Sequence, residues 1–318
     1  MTAYIIHRLL MGLIVLILVS LLIFSVMHLL PGDPLLLYVG ENEIGSLTPE
    51  RLKSLQHEYG LDRPMVVQYI DWVGEVLHWN LGTSILYGGS VNKLMAERLP
   101  ITIHLGSLAF IFGSVVGIFF GVVCALRRGK WLDTVFTIVA NTGITLPSFW
   151  MGILLIYFFS LKLGWLPTFG YTSPFSNFWL STKQLIMPVF CLSIFLIASL
   201  TRQTRSSMLE VIQQDYIRTA WAKGLRERVI IIRHTIKNGL IPVVTTMGMH
   251  VSFIVGGAVL LETVFSIPGM GQLMRDSVFS RDYQVVQGGI LIISMVIVFI
   301  NIIVDVSYGW LDPRIRYG

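Results

Sequence analysis

Six predominantly apolar stretches of the chain contain no Asp, Glu, Lys or Arg: residues 9–32, 99–126, 134–161, 184–201, 238–261 and 283–304. Their lengths are 24, 28, 28, 18, 24 and 22 residues. A helix rises about 1.5 Å per residue, so roughly 20 residues cross a hydrocarbon core about 30 Å thick; each stretch can span once, the fourth only just. A charge at mid-membrane costs at least about 2.5 kcal/mol, which accounts for the charge-free runs. Composition agrees with this reading. Charged residues make up 13% of the 318 and the AVILMFWYC set 54%, whereas a soluble chain carries about 25% charge. A pair of soluble domains is therefore excluded, and the sequence predicts an all-α integral membrane protein with six transmembrane helices.

The first stretch reads as an uncleaved span, since its apolar run is long for a secretory signal and no A-x-A site follows it. The segments between the stretches set the orientation. With the N-terminus cytoplasmic, 14 of the 23 Lys and Arg residues fall on the inner side, giving about +8 inside and −3 outside from the total of +5. Inner basic residues are the orienting signal, so both termini are expected in the cytoplasm. The basic balance is thus a topology signal, with no soluble basic face for nucleic acid. The expected layout is 1–32 for the N-terminal end and first helix, 33–98 for an extracytoplasmic helical segment, 99–310 for the transmembrane domain with an inner loop at 202–237, and 311–318 for a cytoplasmic tail. Cys124 and Cys191 fall inside spans, so they imply no disulfide framework.

Thr48 followed by Pro49 marks a helix start in the outer segment, with Leu52, Leu55 and Tyr59 at helical spacing and Gly60 as the stop. A second helix is predicted from Met65 to about Leu77, where Val66, Val67, Ile70, Val73, Val76 and Leu77 form an apolar stripe beside Tyr69 and Trp72. The pair should form a cap lying on the outer membrane face, either docking an extracytoplasmic partner or shielding the outer mouth.

The inner loop 202–237 holds eight basic residues and a helical pattern in which Leu209, Ile212, Tyr216 and Ala220 recur, flanked by Met208 and Trp221. Gly224 breaks the pattern, and Val229–Ile232 forms a second apolar patch before a new span with Pro242 in its first turn. An interfacial helix on anionic lipid would explain a basic amphipathic stretch. A helix, a glycine turn and a second patch together suit an elbow that inserts into a partner's groove.

On the outer side, Pro268, Gly269, Met270 and Gly271 mark a turn, and Gln272 to Phe279 is expected to be a short helix with Leu273 and Met274 toward the membrane. Those four turn residues are a candidate outer gate, the alternative being a plug that never moves. His28, His104 and His250 lie in or near spans. No two histidines have i, i+4 spacing and no Cys lies nearby in sequence, so they read as hydrogen-bonded packing residues and no metal site is assigned. Gly129-Lys130 is followed by Trp131 and lacks the upstream glycine of a phosphate-binding loop, so the chain is not expected to bind ATP or act as an enzyme.

The run Asp215-Tyr216-Ile217-Arg218-Thr219-Ala220-Trp221-Ala222-Lys223-Gly224, followed by His234 and Lys237-Asn238-Gly239-Leu240-Ile241-Pro242, resembles the coupling loop of binding-protein-dependent ABC importer permeases. It resembles most closely the peptide and nickel branch, of the oligopeptide and dipeptide permease type, in which Arg-Thr-Ala takes the place of the general Glu-Ala-Ala. Further matches run along nearly the whole chain: Pro31-Gly32-Asp33-Pro34, Gly60-Leu61-Asp62 with Pro64, Leu99-Pro100, Leu146-Pro147-Ser148-Phe149-Trp150, Gly164-Trp165-Leu166-Pro167, Pro268-Gly269-Met270-Gly271, Arg281-Asp282-Tyr283 and Asp312-Pro313-Arg314-Ile315. The ordered set is specific where each tetrapeptide is not. Two positions depart: Gln284 stands where the branch usually has Pro, and Trp221 where Arg is common.

The resemblance implies a type I ABC importer permease fold in a bacterial or archaeal cell membrane. It implies that Tyr216, Arg218, Thr219, Ala220, Trp221, Lys223 and Gly224 form the ATPase-coupling site. The partners it implies are a second homologous permease subunit, two ATPase subunits that carry ATP and Mg, and an extracytoplasmic substrate-binding protein. Peptides are the expected cargo, with nickel or metal chelates and glutathione as alternatives. A secondary transporter, the rival from another class, would carry membrane-embedded acids and inverted repeats, and the charge-free windows hold no acid.

Overall fold

The computed structural model describes residues 2–29, 35, 48–58 and 61–311. Pro31-Gly32-Asp33-Pro34, Tyr59 and Gly60 and the Asp312-Pro313-Arg314-Ile315 run lie outside the described residues. In chain order the helices are α1 (Thr2–Leu29), α2 (Pro49–Glu58), α3 (Met65–Leu77), α4 (Val91–Leu126), α5 (Trp131–Thr145) and α6 (Ser148–Leu155, continued as a π-helix over Ile156–Lys162). There follow α7 (Phe178–Ile212), α8 (Asp215–Ala222), α9 (residues 227–239, with a π-helical middle at Ile230–Ile236), α10 (Ile241–Val264), α11 (Met270–Phe279) and α12 (Tyr283–Leu311). The β-pairing among the described residues is a single isolated bridge, Thr83 to Ser90.

Four helices, α1, α4, α7 and α12, are each long and apolar enough to cross a membrane alone. The other two crossings are bent pairs, which brings the possible total to six. Charge counting predicted one span over 134–161; the structure instead breaks it between α5 and α6, with a bend of 106°. Pro147 is the cause. It has no N–H to continue the ladder, and it forces the preceding residue out of the helical region, so Leu146 is extended at φ −86°, ψ 128°. The second pair lies within α10, which bends by 48°. The helix that holds the fourth window is longer than the window. The window closed at Lys183 and Arg202, but α7 runs 35 residues through both, because long basic side chains at the ends of a span carry their charge out to the interface.

The chain forms two compact units. One comprises residues 2–101 and 268–299. Its core gathers Leu81, Val91, Met95, Met270, Leu273, Met274, Val285 and Leu291. The other comprises residues 102–267 with the chain from Ile300 onward. Here α4 and α7 touch through glycine. A Cβ on Gly117 would stand 2.9 Å from Leu200 Cβ and 3.0 Å from the Ile197 carbonyl oxygen, and Gly113 and Gly121, one helical turn away on each side, meet Leu196 and Thr204 in the same way. Small residues every fourth position let two membrane helices approach to backbone contact, where packing takes the place of the absent hydrophobic drive. Cys124 and Cys191 are free and buried.

Candidate functional site

The inner loop does not begin as one long helix. The pattern joining Leu209, Ile212, Tyr216 and Ala220 predicted continuity, yet α7 ends at Ile212, Gln213 caps it, and Gln214 is extended at φ −70°, ψ 147°. The first two apolar residues of that pattern thus belong to the membrane helix and the last two to a separate short helix, α8. The spacing survived the break because two non-helical residues still separate apolar positions on both sides. Periodicity alone cannot see such a kink.

Within α8, Ile217 and Ala220 are buried together with Ile230 of α9, and Val211 packs against them. Five of the predicted coupling residues, Tyr216, Arg218, Thr219, Trp221 and Lys223, are exposed. Trp221 keeps half its surface open, at 50%. Arg218 approaches Asp215 at 3.6 Å, an exposed i, i+3 pair of little energetic weight. The other two predicted residues play internal roles: Ala220 sits in the small core, and Gly224 makes the turn. Gly224 has φ +73°, and its N–H bonds the Trp221 carbonyl at 2.9 Å while Leu225 N–H bonds the Ala220 carbonyl at 3.3 Å. That is an αL ending for a helix, which glycine adopts at no steric cost.

The elbow is pinned at both ends. Asn238 Nδ2 donates to the Tyr216 hydroxyl at 3.1 Å, and Ser207 of α7 donates to the Gly239 carbonyl at 2.8 Å. Gly239 lies against Met208, where a Cβ would come within 3.0 Å of its side chain. Ser207 and Met208, neither of them a predicted site residue, therefore seat the second half of the elbow on the membrane helix. A further tie, also unforeseen, is a two-pronged ion pair. Arg205 Nε reaches Asp133 Oδ1 at 2.7 Å and its second nitrogen reaches Oδ2 at 2.9 Å, while Gly129 N–H donates to Oδ2 at 3.0 Å. The fork geometry of guanidinium on carboxylate fixes orientation as well as distance. It joins the turn before α5 to the end of α7 from which the elbow springs.

The outer turn is built differently. Gly269 and Met270 are buried, Met270 completely, and the helix starts two residues earlier than predicted, at Met270. Leu273 and Met274 face the core of their own unit, and the Pro268 carbonyl accepts from Arg98 at 3.2 Å. The organising group is Asp282, fully buried, which sequence reasoning quoted as part of a motif without a role. Its Oδ2 accepts from Ser84 Oγ at 2.5 Å and from Leu86 N–H at 3.0 Å, and Oδ1 accepts from Val285 N–H at 3.4 Å. An aspartate just before a helix of apolar residues is a readable N-cap signal; that it also holds a loop about 200 positions away is not readable. Gln284, the departure from the usual Pro, leaves the start of α12 intact. Its Oε1 accepts from Thr83 N–H at 2.6 Å. Burial, followed by the nearby Asp276, pushes the Tyr87 phenol in the same loop above its ordinary value.

The three histidines each make a hydrogen bond: His28 with the Phe24 carbonyl and Gln68, His104 with the Tyr171 hydroxyl, and His250 with Ser199. No group of three or more His, Cys, Asp or Glu that could hold a metal occurs among the described residues. Another polar contact in the membrane unit joins the buried Thr102 hydroxyl to Glu262 Oε1 at 2.6 Å.

Comparison with solved structures identifies the fold. The fold matches the inward-facing methionine ABC transporter MetNI with a TM-score of 0.55 at 16% identity, over 69% of this chain and 96% of that one. It matches an amino acid ABC transporter with histidines at 0.51 and 15% identity, over 70% and 94%. At such identities the likeness is one of fold. Sequence goes further: residues 117–317 match the family described as binding-protein-dependent transport system inner membrane component, and residues 1–106 match the family model of the N-terminal part of such membrane components. The chain belongs to that family, as a multi-pass inner-membrane permease of an ABC importer. Among its relatives are a peptide transport system permease protein of Brucella abortus, 42% identical over the whole of both chains, and the dipeptide transport system permease protein of Alkalihalophilus pseudofirmus, 37% identical over the whole of both.

Proposed function

We propose that this permease forms half of the translocation pore of an importer for di- and oligopeptides, and that its elbow is where ATP hydrolysis on separate subunits is coupled to opening. The partners in this reading are a second, related permease, two ATPase subunits and an extracytoplasmic peptide-binding protein, with both termini of this chain in the cytoplasm. The observation that carries the coupling role is the division of labour within α8. Ile217 and Ala220 are buried and the Tyr216 hydroxyl is tied to Asn238, while Tyr216, Arg218, Thr219, Trp221 and Lys223 are left exposed on one short helix that ends in a glycine turn. A helix held by few residues that presents the rest suits insertion into a groove. The aromatic Trp221 supplies the kind of anchor that dominates such contacts. Support for the cargo comes from full-length relatives named as peptide and dipeptide permeases.

In this reading the outer turn is a fixed wedge and not a moving gate. Pro268, Gly269, Met270 and Gly271 would have to withdraw a fully buried methionine and release Arg98 to move.

Uptake of a labelled dipeptide by the reconstituted importer tests both claims. Gly224→Pro cannot adopt φ +73°; it should leave the subunit in the membrane with ATPase activity that no longer drives uptake. Normal uptake by this variant would overturn the coupling assignment. A binding protein that holds nickel chelates and ignores peptides would overturn the cargo.

A further inference from the structure

Helix α3 has three distinct faces. Gln68, Tyr69, Trp72 and Val76 turn into the unit, where Trp72 and Val76 pack on the core. Asp71 and Glu75 occupy a polar face, Asp71 paired with Arg63 at 3.0 Å and Glu75 accepting from Asn80 Nδ2 at 2.7 Å. The third face repeats Val66, Ile70, Val73 and Leu77 at i, i+4, i+7 and i+11. Three of the four are exposed, Val66, Ile70 and Leu77 at 70, 62 and 75%, and Val73 is half-buried. A contiguous apolar edge of this kind marks a contact with something apolar.

The packed face fixes the height of α3 along α1. The Tyr69 hydroxyl meets Ser20 Oγ at 2.8 Å, and His28 Nε2 lies 3.2 Å from Gln68 Oε1. The Phe24 ring stands 5.4 Å from Tyr69 and 5.9 Å from Trp72. Ser20 is nine residues short of Leu29, so it lies about 13 Å below that end of the membrane-spanning helix. Contacts with both Ser20 and His28 set α3 alongside the last two to three turns of α1, within the apolar stretch Ile5–Leu29 and not beyond its end. On α1 itself Leu18, Leu21 and Leu22 are half or more exposed within the span, as on a surface that faces lipid. The exposed edge of α3 continues that surface.

We infer that α3 is inserted sideways into the leaflet at the C-terminal end of α1, with Val66, Ile70 and Leu77 resting on lipid acyl chains and Asp71 and Glu75 turned to water. An interfacial helix of this kind sinks about 5–10 Å into the boundary between headgroups and chains. The cap expected to lie on the membrane surface is thus sunk into it, and its apolar stripe is occupied by lipid and not by a soluble receptor. The proper leaflet, outer or inner, follows from the orientation proposed above; the insertion does not.

Nitroxide labels on Ile70→Cys, Leu77→Cys and Asp71→Cys, in the assembled importer with Cys124 and Cys191 replaced by Ala, test this in liposomes of phosphatidylcholine and phosphatidylglycerol. Labels at Ile70 and Leu77 should collide several-fold more with oxygen than with a water-soluble nickel chelate, and the label at Asp71 should do the reverse. Saturating binding protein should change neither. Equal chelate access at Ile70 and Asp71, protection of Ile70 by the binding protein, or exclusion of both collision partners at Ile70 would each overturn the inference. The unaltered chain gives a second reading: a lipid carrying a photoreactive group in its acyl chain should label Val66, Ile70 or Leu77, and labelling confined to α1 would also overturn it.

Discussion

The inner elbow and the outer turn each join a short helix to a glycine-containing turn, after α8 in the one and before α11 in the other, and they are held in opposite ways. The elbow rests on Ile217, Ala220 and Ile230, with Val211 alongside, and leaves most of α8 in the open. The outer helix α11 buries Met270, Leu273 and Met274, and the chain following it is fastened by a buried carboxylate to a loop far away in sequence. The difference separates stability from function. If the elbow meets a partner as proposed, few of its side chains are committed to the fold, whereas the outer helix commits Met270, Leu273 and Met274 to the core of its own unit.

The comparison predicts opposite phenotypes. The largest effect on stability is expected from Asp282→Ala, which removes a helix cap and strands the Ser84 hydroxyl and the Leu86 amide. With a cap worth about 1 kcal/mol and each stranded buried group about 1–3, the loss should be about 3 kcal/mol or more. It would be seen as a lowered unfolding midpoint of the purified importer, and an unchanged midpoint would break the contrast. Next comes Trp221→Ala, which should leave that midpoint within about 0.5 kcal/mol of the original, since an exposed side chain is removed. Docking of the ATPase should nonetheless weaken by about 2 kcal/mol, roughly thirtyfold in affinity, as for an aromatic anchor. A titration of ATPase onto the permease measures it. If the variant loses stability and keeps its affinity, the elbow is part of the fold and not a docking element. The smallest effect is expected from Gln284→Pro, which restores the residue more usual at that position. Pro is tolerated in a first helical turn, so only the bond to Thr83 N–H is lost, costing about 1 kcal/mol in the same unfolding assay.

Much of the architecture could be read without coordinates. Helix α3 runs from Met65 to Leu77, where its apolar stripe places it, and the π- and α-helical stretch of α9 follows the Gly224 break as the second apolar patch suggested. Other features carried a signal that went unread. Gly113, Gly117 and Gly121 at four-residue spacing announce a close helix contact, and Pro147 inside a 28-residue window announces a bend. The Arg205–Asp133 fork and the seat of Gly239 on Ser207 had no local signal, because each joins residues whose proximity depends on how helices far apart in the chain pack.

By itself the sequence determined which stretches are apolar enough to enter a membrane, where the glycine turn at Gly224 ends a helix, and which loop carries the basic residues. Those properties are local: a charge costs the same in hydrocarbon whatever its neighbours, and a glycine turns the chain wherever it stands. Only the tertiary structure decided which of the elbow's residues are buried and which are exposed, that Asp282 is a buried tie, and that α3 packs alongside Ser20, Phe24 and His28 of α1. Those outcomes depend on which surfaces meet, and a spacing of three or four residues gives a helix a face without saying what that face will touch.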